Sequence, residues 1–449
     1  MTTSSGSRTY NLLSGFSILA VTAVLGIRFF GMIQKYSVDV LYSDQWDFLK
    51  PFFVNQTGIV RLFLRQHGPH REGIGLLPDK FLYPLTHWNS RVDSFVIGIV
   101  IFSAMLLALL LKRKLYGPFE YSDVAIPVIF LSLAQYEILL SAPNPAHSAF
   151  PLLLIMLYCL ALLCRNRLLR YAFVLALNFF LIYTGFGIVM GAITFGVFLL
   201  ECYWSGRRFT SVPLAYPIAG FAVAAASFAS FFIHYRVLPR MGCFDSPHIP
   251  WLRYPKFVAV MFSAAVVPNH RFPSLIALLG IIMLLAVGGL FALYSLRLLT
   301  PVHSDANLIG AVLLGYCLLL TTATAIGRVC LGMEEAYRSR RYTLLIPAFL
   351  AVYFYLYSKS WRGKRGLVLA LFVLFFLPAT LLKPTVTIRD LAARKRAWAA
   401  CYLRNHNIHD CDQQTNFVLY PSPERNGMQQ KLDYLQQYHL NFFYDAERK

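Results

Sequence analysis

Two acids and a group of imidazoles stand in one short stretch of this chain. Tyr42-Ser43-Asp44-Gln45-Trp46-Asp47 is followed by His67-Gly68-Pro69-His70-Arg71-Glu72. If the segment around Trp46 is helical, Asp44 and Asp47 share a face at i,i+3. Paired carboxylates push one pKa upward, which suits a general base near neutral pH. Their oxygens also suit a divalent cation. His67, His70, Arg71 and Glu72 are candidates for binding a phosphate or a sugar hydroxyl. The bland alternative is a helix capped by Asp44 with a solvated loop beyond it. The clustering of so many titratable groups favours a site.

A second cluster lies far along the chain. Gly327-Arg328-Val329 leads to Glu334-Glu335-Ala336-Tyr337-Arg338-Ser339-Arg340-Arg341-Tyr342. A guanidinium is a rigid fork of donors that matches phosphate oxygens. Arg328, Arg338, Arg340 and Arg341, with Tyr342, are therefore candidate phosphate ligands. Glu334 is expected to pair with Arg338 at i,i+4 and hold it in place. The alternative is an arginine belt against lipid headgroups. Glu137 is a weaker substrate-binding candidate, followed by Asn144-Pro145-Ala146-His147. Asp245 and His248, beside Trp251 and Tyr254, are weaker still. No Walker loop, dinucleotide glycine motif or HExxH occurs, so a soluble nucleotide donor has no evident site.

The elements that must position these groups are helices in a membrane. Of 449 residues, 57% are hydrophobic, 15% aromatic and only 14% charged, with a net charge of +20. A soluble domain carries roughly 25% charged residues. Apolar runs fall at about 12–33, 92–111, 122–140, 148–164, 171–184, 187–204, 214–233, 274–296, 306–326, 343–358 and 367–382. A helix needs about 20 apolar residues to span a bilayer, so an all-α polytopic protein with about eleven transmembrane helices is expected. A further run, 257–267, is too short and is read as interfacial or re-entrant.

Charge sets the orientation. Lys112-Arg113-Lys114, Arg165/Arg167/Arg170, Arg207-Arg208, Arg297 and Lys359/Arg362/Lys364/Arg365 follow every even-numbered run. Cytoplasmic loops carry such an excess, so the N-terminus is expected inside. The protein is then an integral multi-pass membrane protein with its transmembrane domain over 1–382. Residues 34–91 form a long extracytoplasmic loop, and 383–449 form an extracytoplasmic tail. Amphipathic stretches at 391–403 and 428–443 suggest a small helical cap. Cys401 and Cys411 could close a loop within it, and Cys243 could pair with Cys330. The basic residues follow the apolar runs and form no face on a soluble domain, so no nucleic-acid partner is expected.

Ser43-Asp44-Gln45-Trp46, the stretch Arg328 to Tyr342 ending Ser339-Arg340-Arg341-Tyr342, and Tyr183-Thr184-Gly185-Phe186-Gly187, together with the many spans and the outer tail, resemble the GT-C glycosyltransferases of membranes. The likeness is to a bacterial branch with an SDxW first loop, an R…G…A…SRY loop and a YTGFG break. It implies an enzyme of the bacterial plasma membrane with its active site on the outer side. The donor would be a polyprenyl-phosphate-linked sugar and the acceptor a hydroxyl of a cell-envelope glycan, lipid or protein. Asp44 or Asp47 would be the catalytic base, with inversion at the anomeric carbon. Two residues separate these acids here, where many members have at most one. Which acid is the base, and whether a divalent cation binds them, both stay open. The rival reading is a transporter or flippase of an anionic lipid-linked substrate.

Overall fold

The computed structural model describes residues 4–236, 250–267, 273–301, 303–359, 365–381, 385–424 and 426–447. It is mostly helical, with one two-stranded hairpin among the described residues. Ten of the eleven apolar runs are single helices: Ser4–Tyr36, Arg91–Tyr116, Ala149–Leu162, Arg167–Ile182, Ile188–Gly206, Ala215–Ser230, Pro273–Leu298, Asp305–Arg328, Tyr342–Lys359 and Arg365–Leu381. Among the described residues, six helices are long and apolar enough to cross a membrane. Their outer faces are apolar as well. Pro273–Leu298 turns Leu275, Leu278, Ile281, Ile282 and Leu285 outward. Exposed apolar surface on that scale fits a lipid solvent, in which helices satisfy their own backbone groups.

The run 122–140 departs from the expected span. It breaks into a 3-10 turn at Tyr121–Val124, a short helix at Ala125–Phe130, a 3-10 turn at Leu133–Gln135 and a π turn at Glu137–Ser141. Buried polar side chains take over the freed backbone groups, as burial requires. Ser132 Oγ accepts from Ala134 N at 3.2 Å, and Gln135 Nε2 donates to Phe130 O at 2.7 Å. Thr343 Oγ1 donates to Gln135 Oε1 at 2.9 Å, fastening the break to the helix Tyr342–Lys359. The short run near 257–267 is the buried helix Arg253–Ala264. Its 12 residues rise about 18 Å, less than a bilayer core.

Helix ends define two poles. Lys112 pairs with buried Asp123 at 2.7 Å, and its ammonium stands 4.5 Å from the Tyr357 ring. Tyr357 donates to Glu120 at 2.7 Å. The basic residues around Lys112 and Lys359 therefore share one pole. Arg91 and Tyr342, at the opposite ends of the same two helices, lie about 25–35 Å away.

At that second pole the first loop and the tail form one body. Trp46, Leu49, Tyr83 and Trp88 pack with Trp398, Tyr402, Leu432 and Phe442 in a single apolar core. The tail helices are Thr385–Asn405, Ile408–Thr415, Met428–Gln437 and Phe442–Glu447. Polar ties reinforce the core. Lys431 Nζ donates to Trp46 O at 3.0 Å, and Asn441 Nδ2 donates to Asp39 Oδ1 at 2.5 Å. Cys401 and Cys411 are bridged, with Cα atoms 5.6 Å apart. Cys330 is also disulfide-bonded; Cys243 lies outside the described residues. Closing so short a loop stabilises the cap by about 2–3 kcal/mol on chain-entropy grounds. Cys401→Ser is expected to lower the unfolding temperature of the cap under non-reducing conditions, read by tryptophan fluorescence. An unchanged midpoint would mean that the bridge adds no stability.

Candidate functional site

The Gln66–His67 and His70–Arg71 strands form a tight hairpin with His67 opposite His70. Gly68 turns it at φ +56°, a conformation glycine adopts without strain. Glu72 follows and is fully buried. His67 Nδ1 lies 3.2 Å from Glu72 Oε2, Asn144 Nδ2 donates to the same oxygen at 2.9 Å, and His147 Nε2 contacts Oε1. Close backbone packing brings these groups together. A Cβ on Gly75 would sit 2.7 Å from Ala146, and one on Gly185 would strike the His147 ring at 2.4 Å. Asn144 Oδ1 accepts from Ala146 N at 3.0 Å and fixes the turn that carries His147. The Phe186 ring closes the cluster, 4.7 Å from His70 and 5.7 Å from His147.

The electrostatics follow from this packing. Burial opposes charge on Glu72, but His147 and His67 overcome it and hold the carboxyl well below its usual range. Burial also opposes charge on His67, yet Glu72 raises its pKa, helped by Asp44 and Asp47. Burial pushes His70 down to about 3, aided by His147, His67 and Arg328. Arg71 is committed elsewhere. Nε donates to Phe231 O at 2.6 Å, while Nη1 and Nη2 reach Leu64 O and Ile233 O. Its donors hold the hairpin to the end of Ala215–Ser230 and serve the framework, contrary to the expected substrate role.

The acidic pair flanks this cluster. Asp44 is the N-cap of the short helix Gln45–Phe48, and Asp47 lies in its first turn. The Asp44 side chain makes no capping hydrogen bond and is exposed. Asp47 accepts from the Tyr420 hydroxyl of the tail at 2.6 Å. It also opposes the burial that brings Lys431 down to about 8. Both acids act on His67, so acids and imidazoles are neighbours.

The arginine loop meets the same cluster. Arg328 ends the helix Asp305–Arg328, and Ser339–Arg341 form a 3-10 turn before Tyr342–Lys359. Arg328 acts on His70, while Arg338 and Asp44 both act on the Tyr42 hydroxyl. Arg338 pairs with Glu335 at 3.2 Å and reaches Glu137 at 3.8 Å, so Glu335 replaces the expected Glu334. A 3-10 turn repeats every three residues, which favours the i,i+3 partner. Glu137 is part of the assembly, since its carboxylate accepts from Arg340 N at 3.2 Å. Arg340 also pairs with Glu335 at 2.8 Å. Glu335 is held below its usual range despite burial, first by Arg340. Tyr342 is buried and donates to Ile129 O at 2.8 Å, so its hydroxyl is structural.

Arg341 stands apart from the others. Its side chain is 5% exposed, it pairs with Glu335 at 3.6 Å, and among the described residues its Nε and Nη2 have no hydrogen-bond partner. Burial, then the like charge of Arg340, push its pKa down to about 9. A buried guanidinium with unfilled donors costs the fold stability unless an anion meets it.

No family model matches the chain, and neither a functionally described protein nor a solved structure matches it. His147 and Asn144 are the site residues that sequence reasoning left in the background. Their only signal is the Asn144-Pro145-Ala146-His147 turn at the end of an apolar run. Asp245 and His248 lie outside the described residues. Among the described residues, cavities also lie away from the cluster. One, of about 330 Å³, is lined by Arg170, Glu201, Trp204 and His303. Another, of about 360 Å³, is an apolar groove among Ile188–Gly206, Pro273–Leu298 and Asp305–Arg328.

Proposed function

We propose that this chain is a multi-pass membrane glycosyltransferase. It has about eleven spans, a cytoplasmic N-terminus, and an extracytoplasmic body made of the first loop and the tail. The substrates are a polyprenyl-phosphate-linked sugar and an acceptor hydroxyl of the cell envelope. The observation that carries the reading is Arg341, a buried cation with unfilled donors beside Arg328 and Arg340, at the same pole as two carboxylates. The Asp44 carboxylate takes the proton of the acceptor hydroxyl. The acceptor oxygen attacks the anomeric carbon, the bond to the phosphate oxygen breaks, and polyprenyl phosphate leaves. Attack from the opposite face inverts that carbon. Negative charge growing on the leaving oxygen meets Arg341 in a water-poor setting, where such contacts are strong. Asp44 suits the base role better than Asp47, which already accepts from Tyr420.

The transporter reading asks for charges placed along the spans to meet a passing substrate. Here Lys112 is paired with Asp123 and Arg170 with Glu201, each at 2.7 Å. Mass spectrometry of lipid-linked sugars and envelope glycans, with and without the gene, tests the proposal. The expected result is one glycan substituent lost on deletion and restored by the gene, with the sugar-loaded polyprenyl phosphate accumulating. Unchanged glycans and lipid-linked sugars would overturn it.

A further inference from the structure

The geometry points to a transition-metal site of the zinc class formed by His67 Nδ1, Glu72 and His147 Nε2, on the hairpin and the Asn144–His147 turn. The three ligand atoms lie within 4.8 Å of one another. Two imidazoles and one carboxylate form the open three-ligand set that leaves a coordination position for an oxygen. Imidazole donors favour zinc, cobalt or nickel over magnesium or calcium, which prefer oxygen. The outer groups are those that such a site needs. Asn144 Nδ2 donates to Glu72 Oε2 at 2.9 Å and orients the carboxylate. Gly185 lets the chain pass against the His147 ring, and Phe186 walls the cluster. Glu72 is fully buried and His67 and His147 are largely so, with side chains 18% and 29% exposed. The placement differs from Asp44 and Asp47, where the sequence left open whether a divalent cation binds. There one carboxylate is exposed and the other is engaged by Tyr420.

The inference stands apart from the transferase reading, because metal content can be measured without an activity assay. The test uses the full chain in detergent, purified on a tag without histidines. Metal is counted by plasma mass spectrometry as isolated, after chelation, and after titration with Zn²⁺, Co²⁺ or Mg²⁺. The expected result is about one zinc per chain, lost on chelation and regained from Zn²⁺ but not from Mg²⁺. His67→Gln and His147→Gln are expected to weaken Zn²⁺ uptake by at least about tenfold, and to abolish the visible band of the Co²⁺ form. Asp44→Asn is expected to keep the metal. Size-exclusion profiles identify any variant that fails to fold, and the wild-type titration decides the matter alone if both histidine variants do. Wild-type protein that takes up no stoichiometric Zn²⁺ or Co²⁺ overturns the site. So does uptake that survives both histidine changes, or that is lost with Asp44→Asn alone.

Discussion

Replacing Arg341 by alanine is expected to cut sugar transfer by about 10²–10³-fold while leaving the unfolding temperature unchanged or higher, the size of loss seen when one preorganised donor is removed. The two halves of this expectation share one cause. Arg341 is buried, faces Arg340, shares Glu335 with two other arginines, and among the described residues leaves Nε and Nη2 without a hydrogen bond. Its pKa of about 9 lies below the ordinary 12.5. Between those values the unfolded chain binds more protons, so this group's contribution to stability rises with pH across that window. Below about pH 9 the destabilisation is present in full, and alanine removes it. The same unfilled donors favour a phosphate in the bound state, so the lost function and the gained stability go together. Steady-state kinetics against donor concentration and thermal unfolding in detergent read both halves. Polyprenyl phosphate should raise the wild-type midpoint and leave that of the variant in place. A variant with full activity and a lower midpoint would make Arg341 a structural cation and remove the donor-phosphate assignment.

The helical framework was largely legible because span length and apolar runs are set by the same physics. Ten runs became single helices, although the first begins at Ser4 instead of near 12 and the second extends to Tyr116 instead of 111. The run 122–140 did not, since Ser132 and Gln135 supply local hydrogen bonds that compete with a continuous helix. The site was half legible. Acids, imidazoles and arginines could be picked out by type, and their common pole follows from helix direction. Their partners could not. His147 meets Glu72 across 75 positions, a contact made by tertiary packing at Gly75 and Gly185. Arg71 has the charge of a ligand-binding residue, yet backbone carbonyls at the ends of two other segments take its donors. The Glu334–Arg338 spacing assumed an α-helix where the chain makes 3-10 turns.

Asp44→Asn is the second decisive change, with transfer expected to fall by about 10²–10⁴-fold, the usual contribution of a general base. The fold should tolerate it. Asp44 is exposed, its side chain makes no capping bond, and surface changes of this kind shift stability by about 0.5 kcal/mol or less. Asp47→Asn makes a useful contrast. Asp47 ties the first loop to the tail through Tyr420 and counters the burial of Lys431. Its loss should lower the midpoint and reduce activity less than the Asp44 change. Tyr420→Phe should reproduce the stability part of that effect without removing a carboxylate. Turnover number separates the two acids, because a base acts in the chemical step and a tether acts through geometry. Full turnover in Asp44→Asn together with its loss in Asp47→Asn would transfer the base role to Asp47. Full turnover in both would remove the base role from the acidic pair.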